Sequence, residues 1–272
     1  MKDFSITPNE MIVSFWRNRK LIKTLAKREV VGRYRGSVMG LMWSFFNPVL
    51  MLLVYTFVFS VIFKTKWNSG SDSKTEFALV LFSGLLVFNL FAECVNRAPT
   101  LILSNTNYVK KVVFPLEILP WVILSTSLFH MVVSFMVWLI FYIIFFGQPH
   151  LTMLVMPLIL LPLIFFTIGI TWILASLGVY LRDVSQIVGI MTTTLMFLSP
   201  IFYPISSLPK QYQDILYLNP LALIIEQTRE SLIWGHRPDL LILALSTCIS
   251  MVMSWIGFAW FQKTRKGFAD VL

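Results

Sequence analysis

The sequence predicts an all-α integral membrane protein. Six transmembrane helices follow an N-terminal amphipathic interfacial helix, and short interfacial helices lie on the outer side before the last span. Three observations carry this expectation. Residues 118–181 form 64 consecutive positions without Asp, Glu, Lys or Arg. A bilayer core takes about 20 apolar helical residues at ~1.5 Å rise each, so this run is two spans. Its strong break is Gly147-Gln148-Pro149-His150, a turn that sends the chain back. The composition agrees: 57% hydrophobic, 13% charged, mean hydropathy +0.77, outside the soluble range. Four more charge-poor stretches complete the set, giving spans near 38–63, 77–101, 118–146, 151–180, 185–205 and 240–261. None alternates as the ~10-residue strands of a membrane barrel would.

Two parts follow, an arm over 1–37, expected to be cytoplasmic, and a six-helix transmembrane domain over 38–272. If the arm is cytoplasmic, 15 of the 22 Lys and Arg fall inside and six outside, with Arg97 within or beside a span. The positive-inside rule then puts both termini in the cytoplasm. With so uneven a distribution, the +9 net charge points to the membrane surface rather than nucleic acid. The first 37 residues are too polar and basic for a secretory signal. Cys94 and Cys248 both fall in spans, which suggests neither a disulfide framework nor a metal site.

Residues 11–35 read as one helix lying along the membrane. Lys20, Lys23 and Lys27 line one side with Arg17, Thr24 and Arg28, and Phe15, Leu21, Ile22, Leu25, Ala26 and Val30 fill the other. Arg19, Glu29 and Arg33 break the pattern by falling on the apolar side. Such a helix can be a plain anchor on an anionic leaflet. Alternatively, Arg28, Arg33 and Arg35 around Tyr34 hold the phosphate of a lipid head group.

The stretch from Arg28-Glu29-Val30-Val31-Gly32-Arg33-Tyr34-Arg35-Gly36 to Trp43, with Asn47-Pro48 and Val54-Tyr55-Thr56, resembles the start of the ABC transporter permeases that export polysaccharides. Asn107-Tyr108-Val109-Lys110-Lys111, Phe114-Pro115-Leu116-Glu117, Leu181-Arg182-Asp183, Leu208-Pro209-Lys210-Gln211-Tyr212, Asn219-Pro220-Leu221 and Arg229-Glu230 extend the resemblance along nearly the whole chain, in family order. The resemblance implies a dimer of six-helix permeases in the bacterial inner membrane, working with two cytoplasmic ATPase subunits. The cargo it implies is a lipid-linked polysaccharide, with an O-antigen on undecaprenyl pyrophosphate preferred. Capsule, teichoic acid or a small hydrophobic cargo are the alternatives. It also implies re-entrant helices on the outer side, between the fifth and sixth spans.

The chain has no G-x-x-x-x-G-K-[ST] loop and no Gly-Lys pair, so no cofactor is expected on it; ATP and Mg would belong to the partner ATPase. By resemblance, 105–115 forms a coupling helix for that ATPase. The candidate coupling residues are Lys110, Lys111, Phe114, Pro115 and Glu117, with Arg182 and Asp183 in the second inside loop. An ordinary positive-inside loop and a boundary charge pair remain the plainer readings.

Sugars lay their apolar CH faces on aromatic rings. Tyr55 and Phe59 in the first span, and Phe197, Phe202 and Tyr203 around Pro200 and Pro204 in the fifth, are therefore candidate channel rings, with packing the alternative for any one of them. Glu93 and Arg97, four apart, can pair as a structural bridge or line a channel mouth. A secondary transporter would need ionisable groups near the bilayer midplane, and a membrane enzyme convergent carboxylates or histidines. His130, His150 and His236 are scattered, and the acids form no evident cluster.

Overall fold

The computed structural model describes residues 4–58, 74–110 and 114–272, and among these every regular element is helical. Five helices are long and apolar enough to cross a membrane: Gly40–Val58, Glu76–Thr100, Leu116–Phe146, Leu151–Tyr180 and Leu240–Val271. These match five of the six expected spans. The later part of the first, including the candidate ring Phe59, lies outside the described residues, as does Lys111.

The arm is two helices rather than one. Helix α1 (Pro8–Arg17) starts with Thr7, whose hydroxyl accepts from the Glu10 amide at 3.3 Å, and with Pro8 in the first turn. It stops at Asn18, whose side-chain amide donates to the Ser14 carbonyl at 2.9 Å. A short polar side chain competing for a helical carbonyl is what the apolar periodicity did not register. Helix α2 (Arg19–Arg33) buries Ile22, Leu25, Ala26 and Val30, four of the six residues assigned to its apolar side. The first three form a cluster with Ile118 and Val122 of the third apolar span, joined by half-buried Phe15 and Leu21, so part of that side packs on protein.

Helix α3 (Trp43–Tyr55) lies in the first span and is mostly exposed to its surroundings. Helix α4 (Lys74–Arg97) is the axis of the fold, buried almost all round from Phe77 to Leu90. A short helix, α5 (Thr106–Lys110), precedes α6 (Leu119–Phe146). Gly147, at φ +82°, supplies the left-handed turn that ends α6, where the break in the charge-free run was expected. The next span begins with a 3-10 turn and α7 (Met156–Ile159), then continues as α8 (Leu161–Tyr180).

Helix α9 (Val184–Leu198) covers most of the expected span 185–205 and ends seven residues before its end. At ~1.5 Å per residue it reaches only about 22 Å, short of a ~30 Å hydrocarbon core. The cause is Pro200, which drives Ser199 out of the helical region to φ −95°, ψ 150°. Two helices occupy the outer segment, α10 (Lys210–Tyr217) and α11 (Pro220–Leu232). The last span is α12 (Leu240–Thr264), capped by Asp239, whose carboxylate accepts from the Leu241 and Ile242 amides at 2.9 and 3.1 Å. Helix α13 (Phe268–Val271) closes the described chain.

Helices α8 and α12 make the closest crossing. Gly169 sits against the Met253 carbonyl, where an added Cβ would come within 2.7 Å, and Gly257 against the carbonyl of Gly169. Ser250, Ser254 and Gly257 form the buried small-residue stripe of α12. Hydrocarbon provides no hydrophobic drive between helices, so such close backbone packing is what holds them together.

Arg229 solves a different problem. Its side chain is fully buried although α11 was expected at the outer interface. It donates to the Ile201 carbonyl at 2.7 Å, to the Val80 carbonyl of α4 at 3.3 Å, and to the Pro200 carbonyl. The chain break after α9 exposes main-chain oxygens that no helix satisfies, and the guanidinium fork takes them up. Gly84 leaves the room, since a Cβ there would stand 2.9 Å from Arg229 Nη2. Replacing Arg229 with Ala should leave these acceptors unpaired and cost about 3 kcal/mol or more. Arg229→Lys, which keeps the charge without the fork, should recover only part of the loss in thermal unfolding of the purified protein.

Candidate functional site

The sequence irregularities of the arm become intelligible at its junction with the bundle. Glu29 and Arg33, the charges that fell on the apolar side of α2, turn inward. Arg33 donates to Glu93 of α4 at 2.6 Å and lies 3.1 Å from His130 of α6. His130 is itself 3.1 Å from Glu93, and Tyr34 OH is 3.5 Å from the same imidazole. Arg97 pairs with Glu29 and reaches Glu93 at 3.6 Å, the i,i+4 bridge expected from their spacing. Three helices are thereby joined through one chain of charges. Charges at membrane depth require such partners.

Arg28 faces another way, donating to Tyr108 of α5 at 3.0 Å. Beside them opens a cavity of about 340 Å³ with a mixed lining, Arg28, Glu29, Arg97, Asn105 and Tyr108 on the polar side and Leu25, Leu101, Leu119, Val122 and Ile123 on the apolar one. Arg97 Nη1 has no hydrogen-bond partner there. The four candidates for a lipid phosphate therefore divide. Arg33 and Tyr34 share His130, Arg28 borders the cavity, and Arg35 is exposed.

A second cluster sits under the loop that follows α5, centred on Glu117. This carboxylate is only 6% exposed, accepting from Arg265 of α12 at 2.6 Å and from the Ser14 hydroxyl of α1 at 3.0 Å. Its own carbonyl accepts from the Trp172 indole of α8 at 3.1 Å. Arg265 also donates to the Phe114 carbonyl at 2.8 Å and lies over the Phe4 ring, 4.2 Å from the centroid. Phe114 stacks on Tyr108 with centroids 4.3 Å apart, so the loop is clamped on both sides. Lys110 is exposed at the end of α5 and bonds the main-chain oxygen of Leu272. Pro115 is half-buried at the entry to the third span, whereas Arg182 and Asp183 are both exposed between α8 and α9. Of the coupling candidates, Lys110, Arg182 and Asp183 present themselves at the surface, and Glu117 lies inside.

Serine 14 and Arg265 are partners that the sequence reading missed. Both lie more than 100 residues from Glu117, and no local pattern connects them. The contacts of Phe4 with Arg265, and of the Ile6 carbonyl with the Trp255 indole at 2.9 Å, bring the two ends of the chain to one end of the bundle.

The candidate channel rings gather only in part. Phe197 and Phe202 stack at 5.7 Å and 26°, and Tyr203 donates to the Phe197 carbonyl at 3.2 Å. The break after Leu198 is what folds these three together. Tyr55 is half-buried on α3, packed against the main core. Thr192 of α9 donates to Asn96 of α4 at 2.8 Å, a polar tie between these two helices.

The family model for the ABC-2 type transporter matches residues 20–233, from the start of α2 to just past the end of α11. The chain belongs to this family. It is also similar to the O-antigen export system permease protein RfbA of Myxococcus xanthus, 29% identical over 263 residues, covering 96% of this chain and 98% of that one. The polysialic acid transport protein KpsM of Escherichia coli is 27% identical over 250 residues, covering 90% and 93% respectively. The capsule polysaccharide export inner-membrane protein CtrC of Neisseria meningitidis is 25% identical, covering 93% and 96%. In this ABC-2 transporter the charge cluster at the arm–bundle junction lies wholly inside the matched region, whereas Ser14 and Arg265, the two side chains that hold Glu117, flank it on either side.

The pair Glu117–Arg265 gives a direct test of how that loop is held. Arg265→Ala should strand a buried carboxylate and cost about 3–5 kcal/mol. Glu117→Gln in the same chain should restore part of it, because the orphan charge is then gone. Unfolding curves of the two single variants and the double variant measure the coupling.

Proposed function

We propose that the chain is the membrane-spanning permease subunit of an ATP-driven ABC exporter. It moves a lipid-linked polysaccharide from the cytoplasmic to the outer side of a bacterial inner membrane, and the preferred cargo is an O-antigen on undecaprenyl pyrophosphate. The observation that carries this reading is the end-to-end similarity to an O-antigen export permease, which covers nearly all of both chains. A capsular glycan is the second reading, favoured by the similarity to KpsM and CtrC.

In this reading two copies of the chain work with two ABC ATPase subunits, which bind ATP and Mg. Both termini are cytoplasmic, and α9 with residues 199–205 makes the sixth crossing. The ATPase docks on the exposed end of α5 and on Arg182 and Asp183. Its movement passes inward through Phe114 and Glu117 to α1, α8 and α12, the elements those residues touch. The lipid pyrophosphate meets Arg28, Arg33, Tyr34 and Arg35 at the arm, where the cavity beside Arg28 and Arg97 offers cationic and hydroxyl donors. The glycan then slides past Tyr55, Phe59, Phe197, Phe202 and Tyr203, rings whose apolar faces tolerate changing sugar sequence.

Co-expression with the cognate ATPase, followed by reconstitution, should give ATP turnover that rises on adding undecaprenyl-linked glycan. Turnover indifferent to glycan would refute the reading. Charge reversal at Lys110 and Lys111 should abolish co-purification of the ATPase while the permease still elutes as a folded species. Tyr55→Ala with Phe202→Ala should cut surface glycan about tenfold or more, on the scale of losing two ring contacts of ~0.5–1.5 kcal/mol each. Unaltered glycan export in that double variant would remove the aromatic track.

A further inference from the structure

Helix α11 is two-faced in a way that export through the bundle does not require. Its buried side carries Leu221, Ala222, Ile224, Ile225, Thr228, Arg229, Ser231 and Leu232, held by the Arg229 fork and by reciprocal bonds between Ser231 and Thr152, each 2.7 Å. The other side runs Leu223, Glu226, Gln227 and Glu230, one stripe at helical spacing, with Trp234 two residues past the helix end. That stripe forms a wall of a cleft of about 680 Å³. Gln213 and Tyr217, one turn apart on α10, line the cleft as well, and residues 204–206 and 236–239 border it. Gly235, at φ +70° against the His150 ring, makes the turn that leaves Trp234 at the rim.

The polar groups of this cleft are partly occupied and positioned. Glu226 is held by Arg229 at 3.3 Å, and Glu230 by His236 at 2.5 Å. Asp239 caps α12, and the Gln213 amide donates to the Leu208 carbonyl at 2.7 Å, which fixes its oxygen toward other partners. Each carboxylate is thus pinned in place while keeping acceptor sites to spare. Two aromatic rings, two amides and three carboxylates around one concave space are the chemistry of a hydroxyl-rich, uncharged ligand. Rings take the CH faces, and carboxylates and amides pair with hydroxyls. Three carboxylates against Arg237, with Arg229 beneath and His236 engaged by Glu230, disfavour an anionic sugar.

We infer that this outer cleft between α10 and α11 binds a short run of neutral sugar units of the emerging glycan, separately from the aromatic rings of α3 and α9. The inference rests on the export reading for its ligand class. It adds that the site is on the outer surface and selects against acidic units. Holding the emerging chain there would oppose its slipping back between power strokes.

The test uses the full chain in lipid nanodiscs, with an oligomannose heptasaccharide, an oligosialic acid of equal length and glycerol 1-phosphate as probes. The heptasaccharide should bind saturably, and the two anionic probes should compete weakly if at all. Trp234→Ala and Gln227→Ala should each weaken heptasaccharide binding about tenfold, as loss of one stacking ring or one hydrogen-bonded pair does. Trp234→Phe, which keeps a ring, should recover most of it and guards against a folding artefact. Equal binding in wild type, Trp234→Ala and Gln227→Ala would overturn the inference. So would full competition by glycerol 1-phosphate, which marks a lipid head-group surface. Surface glycan in complemented cells reports the export reading on its own. Binding without export leaves the cleft standing and removes that reading, whereas export without heptasaccharide binding removes the cleft.

Discussion

The Glu117 carboxylate is the contact on which the end of the bundle nearest both chain termini depends. It is shut away from solvent, and its position is tenable only because Arg265 and Ser14 reach it from opposite ends of the chain. Those two bonds tie α1 and α12 to the loop that follows α5. The Glu117 main chain adds α8 through Trp172. One buried charge therefore sets the relative positions of four elements with little sequence in common. In the connection between α4 and α6, Phe114 is held on one side by the Tyr108 ring and on the other by Arg265, which donates to its carbonyl.

The outer half meets the same constraint with a charge of the other kind. Where α9 ends at Ser199, the carbonyls of Pro200 and Ile201 have no helix to receive them, and no water lies within the bilayer to do so. Arg229 supplies the donors from α11, which is why that helix is drawn into the bundle against α4 instead of resting on the surface. Burial pushes the Glu226 carboxyl above the usual carboxylate range, against the lowering pull of Arg229 one turn away. A proton taken up by Glu226 would loosen its hold on Arg229, but the three carbonyl bonds remain.

What was legible in the sequence and what was not follow from the range of the interactions. The spans, the Gly147 turn and the apolar side of α2 are periodic or local signals, and residues such as Ile22, Leu25 and Val30 fall where the pattern puts them. The breaks at Asn18 and Ser199 come from side chains that compete with the helix, an amide in one case and a proline ring in the other, and both are invisible to a hydropathy window. The inward turn of Glu29 and Arg33 was visible only as a flaw in an amphipathic pattern. That flaw was the signal, since a charge on an apolar face needs a partner, and Arg97 and Glu93 were already marked as charges within a span. Arg265, Ser14 and Arg229 left no such trace, for their partners are distant in sequence and mostly main-chain.

The distribution of these ties also decides which helices can separate. Helices α8 and α12 are locked by the Gly169–Gly257 crossing, and Arg265 extends that unit to the loop and to α1. Helix α6 is joined to α4 through Glu93 and His130 at one end and the Trp138 indole on the Leu79 carbonyl, 2.9 Å, toward the other. Helix α11 is pinned to α4 by Arg229. By contrast α3 is scarcely covered by the rest of the described chain, and α9 is held to α4 chiefly by apolar packing and the single Thr192–Asn96 bond. Apolar contact within hydrocarbon resists sliding weakly, because lipid replaces it at little cost. In the export proposed above, a path opened with the least loss of polar pairing would pass along α3 and α9, the helices that carry Tyr55 and Phe197.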